Sequence, residues 1–164
     1  MLNDADIATH TDPVGRGRTN YIVRLDLTQH EMPGKYEQMW TRTEDKRLFE
    51  LCCIPFFPYG QSLGDTLEID PATGAHQLHA KGGHRTVRAA FLDDAAAHAQ
   101  HAALHHALVS DLGCQVEFRA GHHYAAIDLP PGTDATTVIA ILTPLAAAGA
   151  LTWEWADPPA TKPE

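Results

Sequence analysis

The sequence has few of the residues from which active sites are usually built. It contains only two serines, Ser62 and Ser110, and neither stands in a Gly-x-Ser-x-Gly elbow. Three cysteines, Cys52 and Cys53 adjacent and Cys114 distant, form neither a disulfide framework nor a Cys-x-x-Cys pair. Adjacent strand residues point to opposite faces, so Cys52 and Cys53 read as small hydrophobes entering different surroundings. His-Glu-x-x-His, Walker and Gly-x-Gly-x-x-Gly motifs are all missing, which removes the sequence handles for zinc hydrolysis and nucleotide binding. No apolar run approaches the roughly 20 residues of a membrane span, and Met1-Leu2-Asn3-Asp4-Ala5-Asp6 has no basic or apolar leader character. Together these absences predict a cytoplasmic, non-enzymatic protein without cofactor or metal.

Basic residues are scarce too. Twelve Lys and Arg stand against twenty-one Asp and Glu, a formal charge of −9. Nucleic acid and anionic membranes reward clustered Lys and Arg, so neither is an expected partner, whereas a basic protein is. Apolar residues make up 44% of the 164, enough to exclude intrinsic disorder and to bury one core without staples.

The apolar pattern predicts an α+β fold in two parts. Residues 1–18 read as a flexible leader and 158–164 as a tail. Residues 19–81 read as a small, curled antiparallel β unit. In it Tyr21, Val23, Leu25 and Leu27 alternate with polar positions, as do Phe49, Leu51 and Cys53, and turn signals precede strands at 66–69 and 75–80. Residues 82–157 read as strand, helix, strand, strand, helix, strand, the ferredoxin-like βαββαβ sandwich, packed with the first part as one compact domain. Asp93 or Asp94 caps its first helix and Gly113 stops it. Ala120-Gly121 makes a two-residue hairpin turn, Thr133 caps the second helix, and Pro144 kinks it or starts a further turn.

Helices on one sheet face leave the other to be solvated, covered by the first part, or used for recognition. Strand periodicity assigns Thr86, Arg88, Glu117, Arg119, His122, Tyr124, Asp128 and Glu154 to that second face. Arg and aromatic residues there suit a recognition surface. Ile54-Pro55-Phe56-Phe57-Pro58-Tyr59-Gly60 is a stiff apolar loop that either plugs the gap between the two parts or offers an aromatic anchor. The chain has eleven histidines. His101 and His105 have the i, i+4 spacing of a metal pair but lack further ligands, and the group at His76, His79 and His84 is held together by spacing alone.

Met39-Trp40, the 54–60 loop, Leu63-Gly64-Asp65, Gly83-His84-Arg85-Thr86-Val87-Arg88 and Ala125-Ala126-Ile127-Asp128-Leu129-Pro130 recur in this order in a bacterial family. On these motifs the chain resembles the uncharacterised domain of unknown function 4265 over about residues 20 to 157. The resemblance implies no reaction, because the family has none established. It draws attention to Pro55, Phe56, Phe57, Gly60, Gly64, Asp65, Gly83, Thr86 and Arg88.

The combined reading is a protein-binding module, an immunity-type inhibitor that neutralises a basic bacterial toxin through an acidic surface. Its alternative is a small-molecule or peptide sensor using the non-helical sheet face, with a homodimer as a further arrangement. The candidate binding residues are Phe56, Phe57, Tyr59, Asp65, Arg88, Glu117, Arg119, His122, Tyr124 and Glu154.

Overall fold

Alternating apolar residues build the first sheet as the sequence suggests, with two strands, β1 (Ile7–Ala8) and β3 (Tyr36–Arg42), beyond those the periodicity marks. The structure, a computed structural model, describes residues 6–92, 102–119, 121 and 123–157. Strands β2 (Tyr21–Asp26), β3 (Tyr36–Arg42), β4 (Leu48–Leu51), β5 (Thr66–Ile69) and β6 (His76–Ala80) follow one another as antiparallel neighbours. The short β1 (Ile7–Ala8) runs parallel to the start of β3. Val23, Leu25, Met39, Phe49, Leu51, Cys53, Leu67 and Ile69 bury one face as a common core.

The sheet curls until the turn after β5 meets β2, where Asp26 N donates to Gly74 O at 3.0 Å. Gly74 has φ 79°, and a Cβ there would lie 2.6 Å from the Arg24 carbonyl oxygen. Only glycine permits both the left-handed backbone and this approach.

Residues 6–18, expected to be a flexible leader, are instead part of the body. Besides β1, His10 and Pro13 are buried, and Gly15 N donates to Cys52 O at 2.8 Å. The reason is electrostatic: His10 meets two buried carboxylates, a long-range pairing that local composition does not reveal.

The second sheet contains β7 (Arg85–Phe91), β8 (Gln115–Arg119), β9 (Tyr124–Leu129) and β10 (Leu151–Trp155), in the order β10-β7-β9-β8 with every neighbouring pair antiparallel. Helix α1 is described over 102–111, its last six residues, His106–Asp111, having the wider π spacing. Helix α2 is Ala135–Ala147. Leu104, Leu108, Val138 and Leu142 join Val87, Ala89, Ile127 and Leu151 in a second core between helices and sheet. The molecule is therefore α+β. Among the described residues no helix is long and apolar enough to cross a membrane.

Local signals hold with small displacements. Gly113, at φ 69°, ends α1 as expected. The caps expected at Asp93 or Asp94 lie outside the described residues. Asp134, not Thr133, caps α2, its carboxylate accepting from Thr136 N at 2.9 Å. The preceding turn, closed by Thr133 N to Pro130 O at 3.0 Å, uses Thr133 and delays helix entry by one residue. Pro144 neither ends nor replaces the helix, which runs on to Ala147. The β8–β9 connection has four residues rather than two, because Arg119 pairs with Tyr124 and both Gly121 and His123 take positive φ.

The non-helical face of the second sheet lies against the first part. Thr86, Arg88, Glu117, Ala126 and Asp128 on that face are all buried, which replaces the solvated alternative with coverage by the curled sheet and its 54–60 loop. Ile54, Phe56 and Ala126 form a third core at this seam, with Val14, Phe57 and Tyr124 at its margin. A fully buried side chain of Phe56's size contributes about 1.5–3 kcal/mol relative to exposure.

Candidate functional site

The two prolines of the 54–60 loop stiffen it and remove two N–H donors, but its other backbone groups enter a buried seam and need partners. Buried side chains from both sheets supply them. Ile54 N donates to Glu117 Oε2 at 2.5 Å, Phe56 N to Glu37 Oε1 at 2.7 Å and Phe57 N to Glu37 Oε2 at 3.0 Å. Tyr59 N donates to His30 Nδ1 at 3.1 Å. On the acceptor side, the Phe56 carbonyl receives Tyr124 OH at 2.9 Å, and the Phe57 carbonyl receives Arg88 Nη1 at 2.8 Å. Arg88 Nη2 donates to the Pro58 carbonyl.

His10 binds the two carboxylates together. Its Nδ1 lies 2.7 Å from Glu117 Oε1 and its Nε2 3.0 Å from Glu37 Oε1, while its ring stacks on Phe56 with centroids 4.3 Å apart. A carboxylate on each ring nitrogen calls for both nitrogens to donate, which is the imidazolium. Burial opposes that charge, but the hydrogen-bonded carboxylates of Glu117 and Glu37 favour it, and the pKa is raised well above 6.5. Cys53 is pushed up by burial, so its thiol stays protonated and unreactive.

The loop's outer edge carries a continuous half-exposed strip. Arg119 lies over the Phe57 ring at 5.1 Å, and Phe57 stacks with Tyr124 at 5.6 Å. Arg88 lies 5.0 Å from the centre of the Tyr59 ring, and Tyr59 OH donates to Glu154 Oε1 at 3.0 Å. Burial and that bond to Glu154 push up the Tyr59 pKa; burial does the same more strongly at Tyr124, so both stay neutral donors. Two hollows flank the strip. One of about 260 Å³ is lined by Arg88, Ala90, Tyr124, Thr152, Trp153 and Glu154. The other, of about 280 Å³, includes Leu27, Tyr36, Phe57 and Arg119.

Phe57, Tyr59, Arg119, Tyr124 and Glu154 from the candidate set thus come together at the surface. Phe56, Asp65, Arg88 and Glu117 are buried and serve the seam, so Phe56 is a core residue and not an exposed anchor. Asp65 is a clamp: it accepts from Ser62 N at 2.8 Å, Gly82 N at 2.8 Å and Lys81 Nζ at 3.0 Å. His122 lies outside the described residues.

Sequence reasoning missed His10, Glu37 and His30. Glu37 had a usable signal, since it shares a strand face with Met39 and Thr41; His10 and His30 had none.

His76, His79 and His84, near one another in sequence, do not share one site. His76 pairs with His30, Nε2 to Nε2 at 3.1 Å, and His84 Nδ1 lies 2.9 Å from Asp128. His79 stands apart and exposed. His76 Nδ1 donates to Gly74 O at 2.9 Å while His30 Nδ1 accepts from Tyr59, so His30 Nε2–H donates to a bare His76 Nε2. That tautomer leaves His30 no lone pair for a metal. Burial and the neighbouring His76 hold the His30 pKa down to about 4. Burial pushes Asp128 up to about 6 against the opposing pull of His84. Among the described residues no group of three His, Cys, Asp or Glu is arranged to hold a metal ion. His105 is exposed, and His98 and His101 lie outside the described residues.

Residues 37–153 match the family model described as Domain of unknown function (DUF4265), and the chain belongs to that family. The chain is also similar to a solved structure titled "Novel crystal structure of a hypothetical protein from Neisseria gonorrhoeae". The TM-score is 0.61 at 17% identity, over 84% of this chain and 96% of that one, a likeness of fold. No curated protein matches the chain.

Proposed function

We propose that this protein is a non-enzymatic binding module that engages a protein partner through the strip Arg119–Phe57–Tyr124–Tyr59–Glu154. The observation that supports this reading is the continuity of the strip: aromatic and Arg side chains, half exposed and already ordered by the buried network beneath them. Such residues make good anchors, and pre-ordering lowers the entropy lost on binding. The second part of the chain is on this reading a ferredoxin-like βαββαβ unit, supported by the strand order β10-β7-β9-β8. Its unused sheet face carries the loop.

The partner we propose is a basic bacterial toxin met in the cytoplasm, which makes the protein an immunity-type inhibitor. The formal charge of −9 supports electrostatic steering. Four of its carboxylates, Glu37, Asp65, Glu117 and Asp128, are buried along with Arg88, so the surface is less acidic than the composition. Steering is accordingly a rate effect and the strip supplies the affinity.

The test is capture from native cells by the tagged protein at low and moderate salt, repeated with Arg119→Glu and with Thr136→Arg on the exposed side of α2. A single stoichiometric partner lost with Arg119→Glu and kept with Thr136→Arg supports the strip, and inhibition of that partner's toxicity supports the immunity role. Equal capture by both variants refutes the strip.

A second reading, a small-ligand or peptide sensor, is favoured by the hollow over Arg88.

A further inference from the structure

We propose that the hollow floored by Arg88 binds a free α-amino acid, its carboxylate toward Arg88 and its ammonium toward Glu154. This goes beyond the partner surface and rests on the ligand-sensing reading, to which it gives a chemical class.

Arg88 is 2% exposed, yet its charge is incompletely matched. Two of its N–H groups hold the Phe57 and Pro58 carbonyls, which are neutral. Its Nε finds no hydrogen-bond partner among the described residues. Glu154, 3.9 Å away, is half exposed and already receives the Tyr59 hydroxyl. A buried cation lacking a close counter-ion is costly, and a carboxylate answers it with charge-assisted bonds.

A plain anion would meet Glu154 on the same wall and be repelled. A ligand carrying both charges on one carbon satisfies Arg88 and Glu154 together and enters without net charge. The remaining walls suit a side chain: Tyr124 offers an aromatic ring, Ala90 leaves room, and Thr152 adds a hydroxyl. The volume, about 260 Å³, lies below the roughly 300 Å³ at which pockets for drug-sized ligands begin. That size is enough for one amino acid.

The experiment titrates the full chain singly with L-leucine, L-methionine, L-glutamine, L-phenylalanine and L-tryptophan, up to about 10 mM. Binding is read from amide NMR shifts at Ala90, Tyr124 and Trp153. Phenethylamine, which lacks the carboxylate, and N-acetyl-L-phenylalanine, which lacks the ammonium, are the controls. The expected result is saturable perturbation of those three residues by at least one amino acid, with both controls weaker by about tenfold or more.

Arg88 supports the loop, so the diagnostic variants are Ala90→Leu, which fills the hollow, and Glu154→Gln, which removes its anionic wall. Ala90→Leu should abolish binding and Glu154→Gln should weaken it about fivefold or more, both with an unchanged amide spectrum elsewhere. Binding by N-acetyl-L-phenylalanine as strong as by any amino acid would overturn the zwitterion proposal while leaving a ligand site. No response to any compound would overturn both.

Discussion

Glu117 on β8 and His10 near the start of the chain are 107 residues apart in sequence and share a 2.7 Å hydrogen bond. Through that bond, and through Glu37 on the other ring nitrogen, the first strand, both sheets and the aromatic loop are held as one unit. The strip inherits its order from this buried triad.

Replacing His10 with Ala leaves two carboxylates buried without their cation. Breaking one partner of a buried ionic network typically costs about 3–5 kcal/mol, so His10→Ala should lower the unfolding free energy by about that much in urea titration. Linkage gives a second signature. A histidine whose folded pKa is raised stabilises the fold fully below the unfolded value of 6.5, and loses that contribution as pH rises through the folded pKa. The wild-type advantage over His10→Gln should therefore shrink on the alkaline side.

His30 works in the opposite sense. Its folded pKa is about 4 against 6.5 unfolded, so the unfolded chain takes up a proton first as pH falls between those values. Its stabilising contribution is present above 6.5 and lost toward 4. The ring is half exposed, which limits the loss to on the order of 1 kcal/mol. Asp128, raised to about 6, offsets part of this in the whole protein, since its folded carboxylate binds a proton more readily than the unfolded one. Comparing wild type with His30→Gln isolates the histidine: the gap between their stabilities should narrow from pH 6.5 to pH 4.

Arg88→Met should free the Phe57 and Pro58 carbonyls within the seam. Each unsatisfied buried acceptor costs about 1–3 kcal/mol. The expected outcome is a lower melting temperature and faster amide exchange at Phe57 and Tyr59, with the α2 amides unchanged. Arg88→Lys should fall between, because a single ammonium replaces a planar fork.

Gly74→Ala should open the curl of the first sheet. The added Cβ meets the Arg24 carbonyl oxygen at 2.6 Å in a left-handed backbone, a combined cost of about 2 kcal/mol or more. Exchange at Asp26 N, which donates to Gly74 O, should quicken first.

Much of this architecture was legible in the sequence because strand alternation is local. Val23 and Leu25, Phe49 and Leu51, Val87 and Ala89 each fell in phase and each is buried. β3 escaped because its inward positions are Glu37, Met39 and Thr41, so the buried face reads as polar. Residues 6–18 escaped because their order depends on carboxylates 27 and 107 residues from His10. The loop stood out through its prolines and aromatics. Its partners did not, since no local pattern tells which acids will turn inward to meet free N–H groups. The same limit misassigned Glu117 and Arg88, which periodicity placed on the correct face without showing that the face would be covered.

The most direct test of the strip is a hydrogen–deuterium exchange footprint of the protein bound to its captured partner. The account predicts slowed exchange in the loop around Phe57 and Tyr59, at Arg119 and Tyr124, and around Glu154, with α2 unchanged. Protection confined to α2 or to the outer face of the first sheet, with the strip exchanging as in the free protein, would contradict it.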